Sequence, residues 1–211
     1  MLYQNIEIQN CRELEKNEET GLFKMCRIPL SINEQIRGNG FGNAGVELRF
    51  VPLDDEVRIT LKADEGCVSQ AIVYYGSVLS GWKNMYKAIY DYPTEIVIPK
   101  ASNTEYLKRV TEENHLSFSP EVVRVILANG SVEIGNIKGR CRPPKEEELP
   151  KVKYLAYGSS ITHGSLAVVQ PDTYVSRAAE SLKANAINLG FAGNARLEDV
   201  MADYIANECE F

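Results

Sequence analysis

From about residue 22 to residue 138, apolar and polar positions alternate in short runs, as in Val46-Glu47-Leu48-Arg49-Phe50, Val57-Arg58-Ile59-Thr60-Leu61 and Glu95-Ile96-Val97-Ile98. A period of two places one face of each strand in an apolar core and the other in water, the pattern of antiparallel sheets. Residues 71–75, 122–127 and 132–134 read as further strands. Asn129-Gly130 separates the last two, and because both residues tolerate positive φ a hairpin is expected there. Residues 1–141 therefore read as a β-rich domain, sandwich-like or jelly-roll-like.

The segment Arg142-Pro143-Pro144-Lys145-Glu146-Glu147-Glu148-Leu149-Pro150 interrupts the pattern. Paired prolines remove backbone donors and the acidic run resists burial, so residues 142–150 read as a solvated linker. Beyond it the period changes. Residues 152–157 form a nearly continuous apolar run, read as a strand buried on both faces. Residues 173–184 place Tyr174, Val175, Ala178, Ala179 and Leu182 on one helical stripe, with Asp172 or Thr173 as N-cap. Residues 186–189 return to strand. Residues 196–208 give a second helix with Leu197, Val200, Met201, Tyr204 and Ile205 on its apolar face.

A β-α-β-α order implies parallel strands and a right-handed crossover, so the loops after Tyr157 and Leu189 should emerge together at the carboxyl edge, where open α/β sheets bind ligands. Two parallel strands cannot cover their own faces. Residues 151–211 are thus expected to be the first part of a larger α/β unit, and an unpaired apolar edge predicts self-association of the 211-residue chain.

Composition narrows the function. With 23 Lys plus Arg against 29 Asp plus Glu, a net charge of −6 and 44% hydrophobic residues, the chain reads as an ordinary globular protein without the basic footprint of a nucleic-acid binder. It shows no signal-peptide pattern at its start and no apolar run of about 18 residues, so a cytoplasmic protein with no membrane partner is expected. Cys11, Cys26, Cys67, Cys141 and Cys209 are scattered without a CxxC pair, and read as reduced thiols. His115 and His163 lack any shared metal spacing. No metal and no cofactor are expected. Neither of the small-residue stretches at 158–164 and 188–194 fits GxGxxG, the phosphate loop or the GxSxG elbow, which disfavours a nucleotide site and the commonest serine-hydrolase elbow there. Gly38-Asn39-Gly40-Phe41-Gly42-Asn43 reads as a surface loop, and Asn129-Gly130-Ser131 as a turn.

Two small-residue loops remain, each following a predicted parallel strand: Gly158-Ser159-Ser160-Ile161-Thr162-His163-Gly164 and Asn188-Leu189-Gly190-Phe191-Ala192-Gly193-Asn194. In order and spacing they resemble the first and second blocks of the SGNH, or GDSL-type, esterases, whose catalytic domain is flavodoxin-like. The resemblance covers about 60 residues, from Lys151 to Phe211. The β-rich region ahead of it is similar, by pattern, to the accessory domain of one subgroup of these esterases and acyltransferases. The resemblance implies that Ser160 is the nucleophile and that the backbone N–H groups of Ser160 and Gly193 form part of the oxyanion hole. The implied substrate is a small acyl ester, acetylated sugars included.

Two departures accompany it. Ser159 stands where the family has aspartate, and the blocks that would bring the oxyanion asparagine and the triad Asp and His do not occur in these 211 residues. A serine hydroxyl needs an adjacent base. His163, three residues away on the same tight loop, is a poor geometric candidate and reads as a polar contact, while His115 reads as a surface residue. The fragment alone is therefore expected to be inactive. A different class of function is also open: a β domain that binds carbohydrate or a partner, with Tyr74, Tyr75, Trp82, Tyr86, Tyr90 and Tyr92 as an aromatic platform, although aromatics in β-rich domains are more often core.

Overall fold

Along Glu56–Ala63 the alternating pattern is realised without a break: Val57, Ile59, Leu61 and Ala63 are buried and the residues between them are partly exposed. The computed structural model describes residues 1–36, 40–81, 83–209 and 211. In chain order its first elements are β1 (Leu2–Tyr3), β2 (Ile6–Gln9), β3 (Glu13–Lys16), β4 (Phe23–Cys26), α1 (Leu30–Gln35), β5 (Glu47–Pro52), β6 (Glu56–Ala63) and β7 (Ser69–Tyr75). There follow β8 (Val78–Leu79), β9 (Tyr86–Ile89), β10 (Thr94–Pro99), α2 (Thr104–Glu113), β11 (Val123–Leu127), β12 (Val132–Lys138) and β13 (Cys141–Arg142). The last part holds β14 (Val152–Gly158), α3 (Ser160–His163), α4 (Tyr174–Ser181), β15 (Ala184–Gly190) and α5 (Asp199–Glu208).

One antiparallel sheet runs β1-β2-β5-β11-β7-β8, with β13 against β5 and β9 against β7, and a second runs β10-β6-β12-β4-β3. Their inner faces share one core, in which Ile6, Leu48, Phe50, Val73 and Val125 meet Val57, Ile59, Leu61 and Ile134. Each such side chain contributes roughly 1.5–3 kcal/mol on burial.

The expected Asn129-Gly130 hairpin is not formed. β11 pairs with β5 and β7, whereas β12 pairs with β4 and β6, so the turn crosses from one sheet to the other. Gly130 does adopt φ +110°. The dipeptide sets the reversal, but the partners of each strand are decided by the two sheets. Helices α1 and α2 interrupt a region read as strands only; α2 buries Leu107 alone, too narrow a stripe to stand out among its charges.

β14 and β15 pair in parallel, Val152 opposite Ala184 through Gly158 opposite Gly190, as expected. The burial expected of β14 is not found: only Ala156 is buried, and Val152 is 56% exposed. The reason is topological, since among the described residues no strand pairs with the other edge of β14. The outward carbonyls of β15 are covered. Ala186 accepts from Gln9 Nε2 at 3.0 Å, and Asn188 accepts from Asn10 Nδ2 at 3.0 Å and Arg27 Nη1 at 2.9 Å. A second core joins α1 to α5 and β15, with Ile28, Ile32 and Ile36 packed among Leu189, Phe191, Met201 and Tyr204.

Within 142–150 the acidic run is only partly solvated. Arg142 holds Glu148 through two 2.7 Å hydrogen bonds, and Glu148 accepts from the Lys145 amide at 2.6 Å. Cys11, Cys26 and Cys141 are buried, and Cys67 is exposed. No helix among the described residues is long and apolar enough to cross a membrane.

Candidate active site

Ser160 is the first residue of α3, a single helical turn that begins where β14 ends. The turn is closed by His163 N–H to the Ser159 carbonyl (2.9 Å) and by Gly164 and Ser165 N–H to the Ser160 carbonyl (3.1 and 2.9 Å). Gly164 stops it at φ +92°, a conformation in which a side chain is strained. Ser160 itself is partly exposed.

The turn packs against the ends of both parallel strands because two glycines make room. A Cβ on Gly158 would meet the Thr162 side chain, and one on Gly190 would meet the backbone of Thr162 and His163. Thr162 is buried, and its hydroxyl shares a 2.9 Å hydrogen bond with the Tyr174 hydroxyl. Phe191 N–H donates to the Gly158 carbonyl at 2.8 Å, which ties the start of the second loop beside the first. That loop is held from the other side by Asn194, whose Nδ2 donates to the Ile36 carbonyl at 2.7 Å. Gly193 lies on it with φ +75°, exposed, and open space surrounds the position of a Cβ.

The two loops singled out from sequence, with Ser160 and Gly193, are thus neighbours at the carboxyl edge of one parallel pair. His163 shares the turn with Ser160. Its Nδ1 is buried and has no hydrogen-bond partner. Burial and the nearby Arg27 guanidinium push its pKa down to about 4, so it is neutral at neutral pH and a feeble proton acceptor. His115 is exposed at the end of α2, far along the chain from the loops, as a surface residue.

Several further residues take part in the site in ways that the sequence reading did not assign. Asn188 is 1% exposed; its Nδ2 donates to the Thr162 carbonyl at 2.9 Å and its Oδ1 accepts from Gly190 N–H at 2.8 Å. Arg27, also buried, lies over the Phe191 ring at 4.7 Å, and burial lowers its pKa to about 10. Asn129 Nδ2 donates to the Gly164 carbonyl at 2.9 Å and its Oδ1 accepts from Gln170 Nε2. Asn188 sits inside a motif already read as functional. Arg27 and Asn129 are brought to the site only by the packing of the sheets.

The aromatic residues divide. Tyr75 is buried, Tyr74 is half-buried beneath Arg124, and Tyr86, Tyr90 and Tyr92 are exposed. Trp82 lies outside the described residues, as do Gly38 and Asn39 of the glycine-rich loop.

No protein-family model matches the sequence, and no curated protein sequence matches it either. Solved structures do. The chain is similar to the salicylyl-acyltransferase SsfX3 from a tetracycline biosynthetic pathway, with TM-score 0.74 and 15% identity over 97% of this chain and 58% of that one. It is similar to a GDSL-like lipase from Bacteroides ovatus, with TM-score 0.57 and 18% identity over 96% of this chain and 60% of the other. It is also similar to the acetyl xylan esterase Est2A from the rumen bacterium Butyrivibrio proteoclasticus, with TM-score 0.50 and 11% identity over 92% and 48%. The chain spans about three-fifths of the length of the first two. The paired glycine-rich loops at one sheet edge and the agreement with these structures lead to one conclusion: the chain has the SGNH, or GDSL-type, esterase fold.

Proposed function

We propose that this chain carries the nucleophile half of a serine acyl-transfer site, acting on small acyl esters such as acetylated carbohydrate. The observation that carries this reading is the position of Ser160: first in a one-turn helix at the carboxyl end of β14, beside the loop that bears Gly193. Ser160 Oγ loses its proton to a base and bonds to the acyl carbon, the alcohol departs with a proton, and water or a second alcohol then takes the acyl group. The Ser160 and Gly193 N–H groups receive the developing oxyanion. The first N–H groups of a helix have no intrahelical acceptor, which leaves that of Ser160 available for this role.

His163 does not supply the base, since burial and Arg27 keep its affinity for protons low. The Asp and His that complete the triad come from outside these 211 residues, and residues 1–141, 142–150 and 151–211 act as accessory domain, linker and first part of the hydrolase domain. Reduced thiols and a cytoplasmic setting belong to the same reading. The test is hydrolysis of p-nitrophenyl acetate by the intact protein. Ser160→Ala should abolish it, and undiminished turnover in that variant would sink the assignment. Adding an alcohol acceptor and following the acyl group by mass separates transferase from hydrolase.

A second reading rests on a separate feature. Tyr90 and Tyr92 stack at 5.2 Å with their planes 1° apart, on the exposed β9–β10 connection. Such a face suits a sugar ring, which would make the β-rich region a carbohydrate-binding module. Calorimetry with a panel of oligosaccharides tests it, and no heat across the panel in which Tyr92→Ala also changes nothing would remove it.

A further inference from the structure

We propose that Asn188 is the positioning residue of the nucleophile turn and that the β-sheet region holds it in place through Asn10 and Arg27. The inference rests on the reading of Ser160 as nucleophile. One carboxamide bridges the two loops: Asn188 Nδ2 reaches the Thr162 carbonyl at 2.9 Å and Asn188 Oδ1 takes the Gly190 N–H at 2.8 Å. Thr162 lies two residues after Ser160 in the same turn, and Gly190 opens the loop that carries Gly193. The bridge therefore sets the distance between the nucleophile and the donor loop.

The chemistry requires a group that donates at one end and accepts at the other. Aspartate keeps the acceptor but puts a carboxylate oxygen against the Thr162 carbonyl, and a leucine serves neither partner. Because Asn188 is buried, a partner that loses its bond finds no water in exchange.

What holds Asn188 comes from far away in sequence. Its main-chain carbonyl accepts from Asn10 Nδ2 at 3.0 Å and from Arg27 Nη1 at 2.9 Å, while Asn10 also donates to the Ala44 carbonyl at 2.8 Å. Gly45, at φ +75°, lets the backbone of the β-sheet region approach so closely that a Cβ there would stand 2.8 Å from Asn188 Cβ. Arg27 in turn lies over Phe191, the next residue of the second loop after Gly190. The sheets thus act on the site as a backing for Asn188, a role different from binding sugar.

The experiment compares Asn188→Asp and Asn10→Ala with the unaltered intact protein by hydrogen exchange and by steady-state hydrolysis of p-nitrophenyl acetate. In Asn188→Asp the His163, Gly164 and Ser165 amides should exchange about tenfold faster while the sandwich core amides keep their rates. Its kcat should fall about 10- to 100-fold with KM within about twofold, as expected when a reacting group is misplaced but the pocket is kept. Unchanged exchange at residues 163–165, or a loss of protection spread evenly through both sheets, would overturn the proposal. Asn10→Ala leaves both bridging bonds and the Arg27 bond in place and removes the Asn10 share of the backing together with its bond to the Ala44 carbonyl, so it guards against a variant that fails to fold. It should shift the same amides in the same direction by about threefold, and no shift would overturn the part assigned to the sheets. Full activity in Ser160→Ala overturns the nucleophile reading, whereas exchange at residues 163–165 judges Asn188 independently of it.

Discussion

The side-chain amide of Asn129 donates to the main-chain carbonyl of Gly164 at 2.9 Å, so the turn that carries the chain from one antiparallel sheet to the other also holds the end of the helical turn that begins with Ser160. The same Asn129 accepts from Gln170, which itself donates to the His163 carbonyl at 3.2 Å. A residue whose obvious use is to allow a reversal is thereby a structural member of the candidate site.

Asn129→Ala should cost about 1–2 kcal/mol, because it strands the Gly164 carbonyl and half of the Gln170 amide. Urea unfolding of the variant against the parent measures this. Equal midpoints would show that the bond adds nothing.

Two glycines of the second loop should behave differently. Gly190→Ala drives a methyl group into the backbone of Thr162 and His163, and should destabilise by about 1–3 kcal/mol or more, with loss of whatever activity depends on α3. Gly193→Ala meets no atoms and is penalised only for its φ of +75°, about 1–2 kcal/mol. Thermal melts of the pair should rank them in that order, and the reverse order would contradict the close approach at Gly190.

Glu47 lies on the outer face of the first sheet, between Arg124 (2.7 and 2.9 Å) and Arg49 (2.8 Å), and the Phe118 ring covers both guanidinium groups. Burial pushes its carboxyl pKa up, but Arg124 and Arg49 outweigh that and bring it down to about 2. Glu47→Ala leaves the buried Arg49 and the partly buried Arg124 without their counter-charge, and should cost about 3–5 kcal/mol. Stability within 1 kcal/mol of the parent would mean that the arginines find another partner.

Acid should weaken the fold in two stages. The folded protein resists protonating His163, whose pKa falls from 6.5 to about 4, so its contribution is complete above pH 6.5 and is lost as the pH falls toward 4. Glu47, lowered from 4.5 to about 2, contributes fully above pH 4.5 and is lost as the pH falls toward 2. In His163→Gln the unfolding free energy should become flatter between pH 6.5 and 4 and still drop below 4.5. An unaltered slope in the upper range would place its origin elsewhere.

The open edge of β14 and the exposed Val152, Ile161, Leu166, Val168 and Leu197 should make the 211-residue chain self-associate as concentration rises. Light scattering over a hundredfold range checks this. A constant monomer mass throughout would show that the edge is protected by other means.

Local pattern was enough to mark β5, β6, β7, β10, β11, β12, β14 and β15, though not the shorter β1–β4, β8, β9 and β13, as well as the change to a parallel β-α-β unit after residue 150 and the two loops that carry Ser160 and Gly193. Each depends on a period or a motif shorter than a dozen residues, and the physical cause, alternation of faces or freedom at glycine, acts within that span. Thr173, expected as an N-cap, accepts from Ser176 N–H at 3.3 Å, which is a local matter too. The tertiary structure decided what Asn129-Gly130 connects, because strand partners are chosen by two whole sheets. It decided that β14 is half exposed, because burial depends on neighbours and not on the apolar content of a strand. It also brought Asn10, Arg27 and Asn129 to the site from 178, 161 and 35 residues away along the chain. These three bonds end on main-chain carbonyls, which every residue has, so no pairing of residue types in the sequence could reveal them.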